Sequence, residues 1–326
     1  MTKLISVVTP MFNEEANVVA LCERVAAVMA SLPYDYEHIC IDNCSQDRTA
    51  ALLRERAARD PRLKVIINTR NFGHIRSPYH ALLQANGDAA VVLAGDLQDP
   101  PELIPELIRK WEQGYKSVMT VKPESTESSA MSFIRKAYYR TISRISDVPL
   151  VDNATGAGLY DRAVLDVLRR IKDPYPYARG LISEIGFPVA TVPFVKPRRS
   201  GGVTSQNFYT LYDLAMLGIT KHSKVPLRLM TMLGFALACI SLLVAFAYLL
   251  AKLLYWNQFQ MGTAPVLIGI FFFGAVQMFF LGLLGEYIGA IQTQVRNLPL
   301  VVEAERINFT DKAGPKGEPT EPTTTS

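Results

Sequence analysis

Asp96-Leu97-Gln98-Asp99-Pro100-Pro101 is the segment of this chain best suited to chemistry. A carboxylate and a side-chain amide two residues apart in an extended segment point the same way. Both are hard oxygen donors, suited to Mg²⁺ or Mn²⁺ with substrate phosphates completing the shell. Asp99, just before the proline pair, also has the chemistry of a helix N-cap. A second acidic loop is Asp42-Asn43-Cys44-Ser45-Gln46-Asp47-Arg48-Thr49. Asp42 can hydrogen-bond a nucleobase or a ribose there, and Asp47 is equally suited to a cap. A third segment is basic: Arg198-Arg199-Ser200-Gly201-Gly202-Val203-Thr204-Ser205. Arginine forks onto phosphate oxygens, and glycine-rich backbone approaches them closely; a solvated basic linker is the competing reading. His74, Arg76 and His80 are either partners of a diphosphate or ordinary surface polar positions.

The elements around these residues alternate. Strand patterns run over Leu4–Thr9, Tyr36–Ile41, Leu63–Ile67, Ala89–Leu93 and Ser117–Val121. Helical patterns run over Glu14–Ser31, Gln46–Arg59, Pro78–Ala85 and Pro101–Gln113, the last with proline in its first turn. Short strands alternating with helices predict a mostly parallel sheet with crossover helices. Ligands of such sheets bind beyond the C-terminal strand ends. Asp42 and Asp96 each stand at a predicted strand end, so the topology places them for function.

Two apolar runs, Leu229–Ala251 and Ala264–Gly285, are long enough to cross a hydrocarbon core of about 30 Å. Lys221, Lys224 and Arg228 precede the first, Arg296 follows the second, and Leu253–Thr263 between them is uncharged. The positive-inside rule then predicts a two-span hairpin with the catalytic domain and both termini cytoplasmic. Lys252 can snorkel, and Tyr255 and Trp256 suit the far interface. The start of the chain reads as a strand rather than a leader, so the first span is expected to target the protein. Basic and apolar residues mix in 128–146 and in Phe208–Ile219, as in helices lying in a membrane interface. The expected organisation is a globular domain over 1–207, a juxtamembrane amphipathic helix over 208–228, a hairpin over 229–292 and a tail over 293–326 with a disordered end.

In 326 residues, 49% hydrophobic and 10% aromatic, there is material for a full core, and a net charge of +4 gives no argument for nucleic acid. Cys22, Cys40, Cys44 and Cys239 show neither zinc spacing nor a disulfide framework and read as reduced structural thiols.

Taken together, Thr9-Pro10-Met11-Phe12-Asn13-Glu14-Glu15, the Asp42–Thr49 loop, Asn71-Phe72-Gly73 and Asp96–Glu102 resemble the family 2 glycosyltransferases. With two C-terminal spans the chain resembles their polyprenyl-phosphate branch, which includes dolichyl-phosphate mannose synthases and bactoprenol glucosyltransferases. The resemblance covers about residues 3–300 and implies a GT-A, Rossmann-like α/β domain followed by two transmembrane helices. It implies that Pro10, Asn13, Glu14 and Asp42 hold the nucleotide and that Asp96 and Gln98 hold Mg²⁺ or Mn²⁺, with Asp96 catalytic. Asp152, within Asp152–Arg162, is the acidic candidate on the acceptor side, with a plain turn residue as the alternative. Arg198, Arg199 and Ser205 match the family's basic loop near the membrane. Two departures stand out. Ala94 replaces the first aspartate of the usual Asp-x-Asp-Leu-Gln, and Asp42-Asn43-Cys44-Ser45 replaces Asp-Asp-Gly-Ser.

The implied reaction moves a sugar, with inversion, from a nucleoside-diphosphate sugar to a polyprenyl phosphate at the cytoplasmic face, in cell-envelope glycan synthesis. Its partners are these two substrates and the membrane, and a homo-oligomer is compatible with it. One rival is transfer to a lipid or glycan hydroxyl, with Asp152 as base. Another is a catalytically weak sugar-nucleotide-binding scaffold, which Ala94 motivates.

Overall fold

The computed structural model describes residues 2–121, 151, 154–194, 225–254 and 263–309. The predicted segments at 128–146 and 208–219, Asp152, the Arg198–Ser205 loop, Tyr255, Trp256 and the end of the tail lie outside the described residues.

Eight strands form one sheet: β1 (Leu4–Met11), β2 (Asp35–Asp42), β3 (Leu63–Asn68), β4 (Ala89–Val92), β5 (Ser117–Val121), β6 (Ala154–Asp161), β7 (Val189–Pro193) and β8 (Glu303–Ile307). Their order is β7-β5-β6-β4-β1-β2-β3-β8. The pairs β1–β2, β1–β4, β2–β3 and β5–β7 are parallel, while β4–β6, β5–β6 and β3–β8 are antiparallel. Six strands therefore share one direction, and only β6 and β8 oppose it. This mostly parallel α/β sheet, followed by two long helices, is the expected architecture.

The strands form where apolar residues run unbroken, because both faces are covered. Ile5 and Val7 pack into one core with Leu21, Val25, Leu53 and Leu107. Those come from α1 (Val18–Ala30), α2 (Thr49–Ala57) and α4 (Ile104–Glu112). Val8, Ile39 and Ile41 pack into the other with Tyr79, Leu82, Leu165 and Ile182. Those come from α3 (Gly73–Leu83), α5 (Arg162–Arg170) and α6 (Ala178–Ile185). Helix α3 begins at Gly73, five residues before the predicted start, and carries Pro78 in its interior. A 3-10 turn at Pro101–Leu103 precedes α4.

Helices α7 (Val225–Leu254) and α8 (Thr263–Val295) have 30 and 33 residues. At about 1.5 Å per residue each exceeds a hydrocarbon core. Within them Leu227–Val244 and Phe272–Val295 are long and apolar enough to cross a membrane. Met232, Phe235, Leu242, Met278 and Phe279 are exposed, so these are not core helices of the α/β domain.

After α8 the chain returns to the sheet. Part of the segment expected as a tail is β8, paired with β3. His80 bonds Glu303 at 2.6 Å and Arg54 bonds Glu305 at 2.7 Å. Gln294 Nε2 donates to Asp173 Oδ1 at 3.1 Å, tying the end of α8 to the loop before α6.

Candidate active site

The parallel register brings the predicted residues together. Met11 is paired with Asp42 across β1 and β2, and Val8 with Val92 across β1 and β4. The loops after Met11, Asp42 and Val92 therefore leave one edge of the sheet side by side. β5 and β7 end at the same edge, so the chain toward Arg198 and Arg199 departs from there too.

Each of the three central loops turns through a left-handed residue that is not glycine: Asn13 at φ 54°, Cys44 at φ 64° and Leu97 at φ 58°. Such residues are uncommon and concentrate where surrounding structure holds a functional loop in shape. That surrounding structure is a polar lattice. Asn13 N donates to Ser45 Oγ at 2.9 Å, and Gln46 N donates to Asn13 Oδ1 at 2.9 Å. Glu14 N donates to Thr49 Oγ1 at 2.8 Å, and Asn17 Nδ2 donates to Glu14 Oε2 at 2.6 Å. Asp47 accepts from Glu15 N at 3.1 Å and Thr49 N at 2.9 Å. Burial pushes its carboxyl up, but the hydroxyl and amide bonds from Thr49 outweigh that and hold it below the usual range. Asp47 is thus a turn-forming residue just ahead of α2, where Arg48 and not Asp47 holds the N-cap position.

Asp42 is buried at the end of β2. Ser45 donates to it twice, from the side-chain hydroxyl and from the backbone N–H at 3.0 Å. Burial raises its pKa, and the Ser45 bonds work against that. With the Cys44 backbone N–H, these bonds use three of the about four lone-pair sites of a carboxylate.

Asn43 is the residue that the sequence motifs undervalued. Its Oδ1 accepts from Phe72 N at 2.9 Å and Asn68 Nδ2 at 3.1 Å. Its Nδ2 donates to Asn71 Oδ1 at 2.8 Å and Gly73 O at 3.3 Å. A carboxylate has no N–H for Gly73 O, so asparagine at this departure from the family pattern has a local reason. The available signal was asparagine recurring at or just past strand ends, at Asn43, Asn68 and Asn71.

Asp96 and Gln98 share a tight turn rather than an extended segment. Leu97 is left-handed and packs toward the core, and Gln98 N donates to Asp96 Oδ1 at 3.0 Å. The two side chains share a loop because the backbone reverses, which corrects the alternation argument. Asp96 and Gln98 are half-buried, and Asp99 is buried. Pro100, not Asp99, stands before the 3-10 turn, so the N-cap alternative fails. A Cβ on Gly95 would lie 2.8 Å from Pro10 O, so glycine lets this turn sit directly on β1. Pro10 is thereby in contact with the Asp96 loop as well as beside Asp42.

Of the remaining candidates, His80 is held by Glu303 of β8, the residue paired with Asn68 at the end of β3. Arg76 lies over the Tyr175 ring at 5.3 Å, and burial lowers the His74 pKa. The segment predicted on the acceptor side is largely strand: β6 lies between β4 and β5, and a Cβ on Gly158 would lie 2.5 Å from Val118 O. Its first residues reach the functional edge, where Arg179 Nη2 lies 3.4 Å from the Cβ position of Gly156. This cation was not expected from the motifs.

The acidic and amide-rich loops thus stand at adjoining parallel strand ends, where open α/β sheets bind their ligands. The glycosyl transferase family 2 model matches residues 6–169. An uncharacterized glycosyltransferase of Bacillus subtilis, YkcC, is 34% identical over 94% of this chain and 95% of its own length. A prophage-derived bactoprenol glucosyl transferase of Shigella flexneri is 32% identical over 90% of this chain and 96% of its own. Among solved structures, a mannosyltransferase from Pyrobaculum calidifontis in complex with GDP-Man and Mn²⁺ aligns over 90% of this chain and 88% of that one, at 16% identity and TM-score 0.44. The chain belongs to glycosyl transferase family 2.

Proposed function

We propose that this glycosyltransferase moves a sugar from a nucleoside diphosphate to a polyprenyl phosphate, with inversion, at the cytoplasmic membrane face. The observation that carries this reading is the convergence of the Pro10–Glu14, Asp42–Thr49 and Asp96–Gln98 loops on one sheet edge, in a chain with two membrane-length helices. The near full-length relatives named bactoprenol glucosyl transferases support the lipid acceptor.

Asp42 and the backbone of the Asn13–Glu14 turn would face the nucleoside. Asp96 and Gln98 would hold Mg²⁺ or Mn²⁺. Their donor set fits a cation that keeps water and takes substrate phosphate oxygens, which is how Mg²⁺ is usually bound. With Ala94 in place of a carboxylate, that dependence on substrate oxygens increases. When bound, such a cation supplies Lewis-acid neutralisation of the diphosphate. Asp96 itself accepts from the Gln98 backbone N–H, so the loop meets the donor already oriented. The acceptor is a phosphate monoester with a second pKa of about 6, already nucleophilic at neutral pH. It needs position and charge balance more than a base. Arg198, Arg199 and Ser205 would supply these, with Asp152 orienting the acceptor, and the chain toward the arginines leaves the same edge from β7.

The return of β8 supports the hairpin. Residues 303–307 pair with β3, so the chain must come back to the side of the catalytic domain after any crossing. Two crossings satisfy this and one does not. Cysteine labelling should place Asn257 outside and Arg296 inside; labelling of both from one side would rule the hairpin out.

The transfer itself is tested by offering a panel of nucleotide sugars to the purified chain with polyprenyl phosphate or polyprenol. Nucleoside diphosphate should be released only with the phosphorylated lipid. Turnover with polyprenol alone would point to a hydroxyl acceptor, and no turnover with any donor would point to a binding scaffold.

A further inference from the structure

Among the described residues outside the proposed active site, one cluster combines metal-ligating atoms with a cavity. Cys22 lies on α1, and His38 and Cys40 lie two residues apart on β2, so both face the same side of the sheet. One ligand atom from each lies within 4.8 Å of the others. His38 Nε2 is 3.4 Å from Cys40 Sγ and 3.0 Å from Thr9 Oγ1. A cavity of about 110 Å³ adjoins the cluster, lined by Cys22, Glu23, Tyr36, His38, Arg56 and Asp60. Of these, Glu23 is paired with Arg56 at 2.6 Å. The four cysteines are all free thiols, and no spacing along the chain connects Cys22 with Cys40. Only the packing of α1 on β2 brings them together.

We propose that Cys22, His38 and Cys40 form a three-ligand site for a thiophilic divalent cation of the Zn²⁺ class, with its fourth position open to the cavity. Tetrahedral Zn²⁺ with bonds of about 2.3 Å to sulfur and 2.0–2.1 Å to nitrogen sets ligand atoms about 3.5–3.8 Å apart. The cluster needs a contraction of about 1 Å at most to meet that spacing, and the histidine–Cys40 pair is already there. Two thiolates and an imidazole are the softer donor class and are unlike the hard oxygens of the Asp96 loop. On binding, two thiol protons pass to solvent and two metal–sulfur bonds form. Thr9 Oγ1 gives up its contact with the imidazole nitrogen to the ion. Water fills the fourth position from the cavity. The bound ion would clamp α1 to β2. α1 follows the Asn13–Glu14 turn and β2 ends in Asp42, so the clamp joins two elements that carry the nucleotide loops.

The test uses the full chain in detergent with thiols reduced and Co²⁺ as the probe. A thiolate-to-cobalt charge-transfer band should saturate at one equivalent per chain and be displaced by Zn²⁺. The band should disappear in Cys22→Ser and persist in Cys44→Ser, Cys239→Ser and Asp96→Asn. Cys22 is only half-buried, so its serine variant is the one expected to fold; an unchanged far-ultraviolet circular dichroism spectrum checks this. Cys22→Ala serves the same purpose if serine disturbs the packing. The absence of a saturable band in the wild-type chain overturns the site. So does a band that survives loss of Cys22, or one that depends on Cys44.

Discussion

The two ends of the parallel strands use polar residues in opposite ways. At the N-terminal ends, Glu37 is buried and accepts from Ser6 Oγ, from Asn86 N at 2.6 Å and from Lys64 Nζ at 2.5 Å. Gly87 N donates to Ser6 Oγ at 2.7 Å, and Leu4 N donates to Asp88 Oδ2 at 2.8 Å. This network closes on itself and joins β1, β2, β3 and the approach to β4. At the C-terminal ends, Asn13, Cys44 and Leu97 are held left-handed, and Asp96 and Gln98 stay half-buried. One end uses its polar groups to join strands; the other uses them to shape loops. Acidic residues alone do not mark the functional end. Three left-handed residues in adjoining loops do, whereas at the other end Asn308, bonded to Leu63 O at the start of β3, is a single such residue.

This contrast is broken most severely at Glu37. Glu37→Ala leaves Lys64 without its carboxylate in a mostly buried position and removes the acceptor of two further donors. Removing one member of a buried pair costs about 3–5 kcal/mol. Denaturant unfolding should register that loss, while the donor KM of the surviving folded fraction stays near wild type.

Two glycines sharpen the contrast at lower cost. A Cβ on Gly87 would meet Leu4 O at 2.6 Å, and one on Gly95 would meet Pro10 O at 2.8 Å. Forced overpacking of this kind costs about 1–3 kcal/mol. Gly87→Ala should lower the unfolding midpoint and leave kcat unaltered. Gly95→Ala should displace the Asp96 turn and reduce kcat by about tenfold or more, since small misplacements in a site are costly. Equal kinetic effects of the two would remove the distinction between the ends.

The smallest effect concerns the β8 edge. Burial pushes the Glu303 carboxyl up, but His80 and Arg306 outweigh it and bring its pKa down to about 2. A carboxyl held below its ordinary value near 4.5 stabilises the fold above that value and loses its contribution as pH falls toward 2. Amide exchange of the β3–β8 pair should therefore quicken, relative to the central strands, between about pH 4.5 and 2. Glu303→Gln should show that faster exchange already at neutral pH, with little further change on acidification.

The legible parts of the fold were those with uninterrupted local patterns. β1 through β5 are apolar runs bounded by turns, and their positions follow from the sequence to within a few residues. β6, β7 and β8 were missed. β6 contains Thr155, Gly156 and Gly158 and lacks a sustained apolar run, because Gly158 is selected by the approach of Val118 O rather than by strand propensity. β8 alternates Glu303, Glu305 and Ile307 with Arg306 on a sheet edge, a pattern that reads as a charged tail until β3 is seen beside it. Asp42, Asp96 and Gln98 were legible by type and by position at strand ends, as residues that the register brings to one sheet edge. Asn43 was not, because its value lies in four bonds to residues 25 to 30 positions away. The cluster of Cys22, His38 and Cys40 was invisible for the same reason.

The most direct test of which end carries the chemistry is Mn²⁺ binding, followed by electron paramagnetic resonance in the presence of a nucleoside diphosphate. Wild type and Glu37→Gln should immobilise one Mn²⁺ per chain together with the nucleotide. Asp96→Asn should weaken that binding by about tenfold or more and cut glycosyl transfer by about 100-fold or more, with the fold intact, because an amide cannot balance the cation's charge. Unchanged Mn²⁺ affinity and near-normal transfer in Asp96→Asn would contradict the assignment of this edge as the active site.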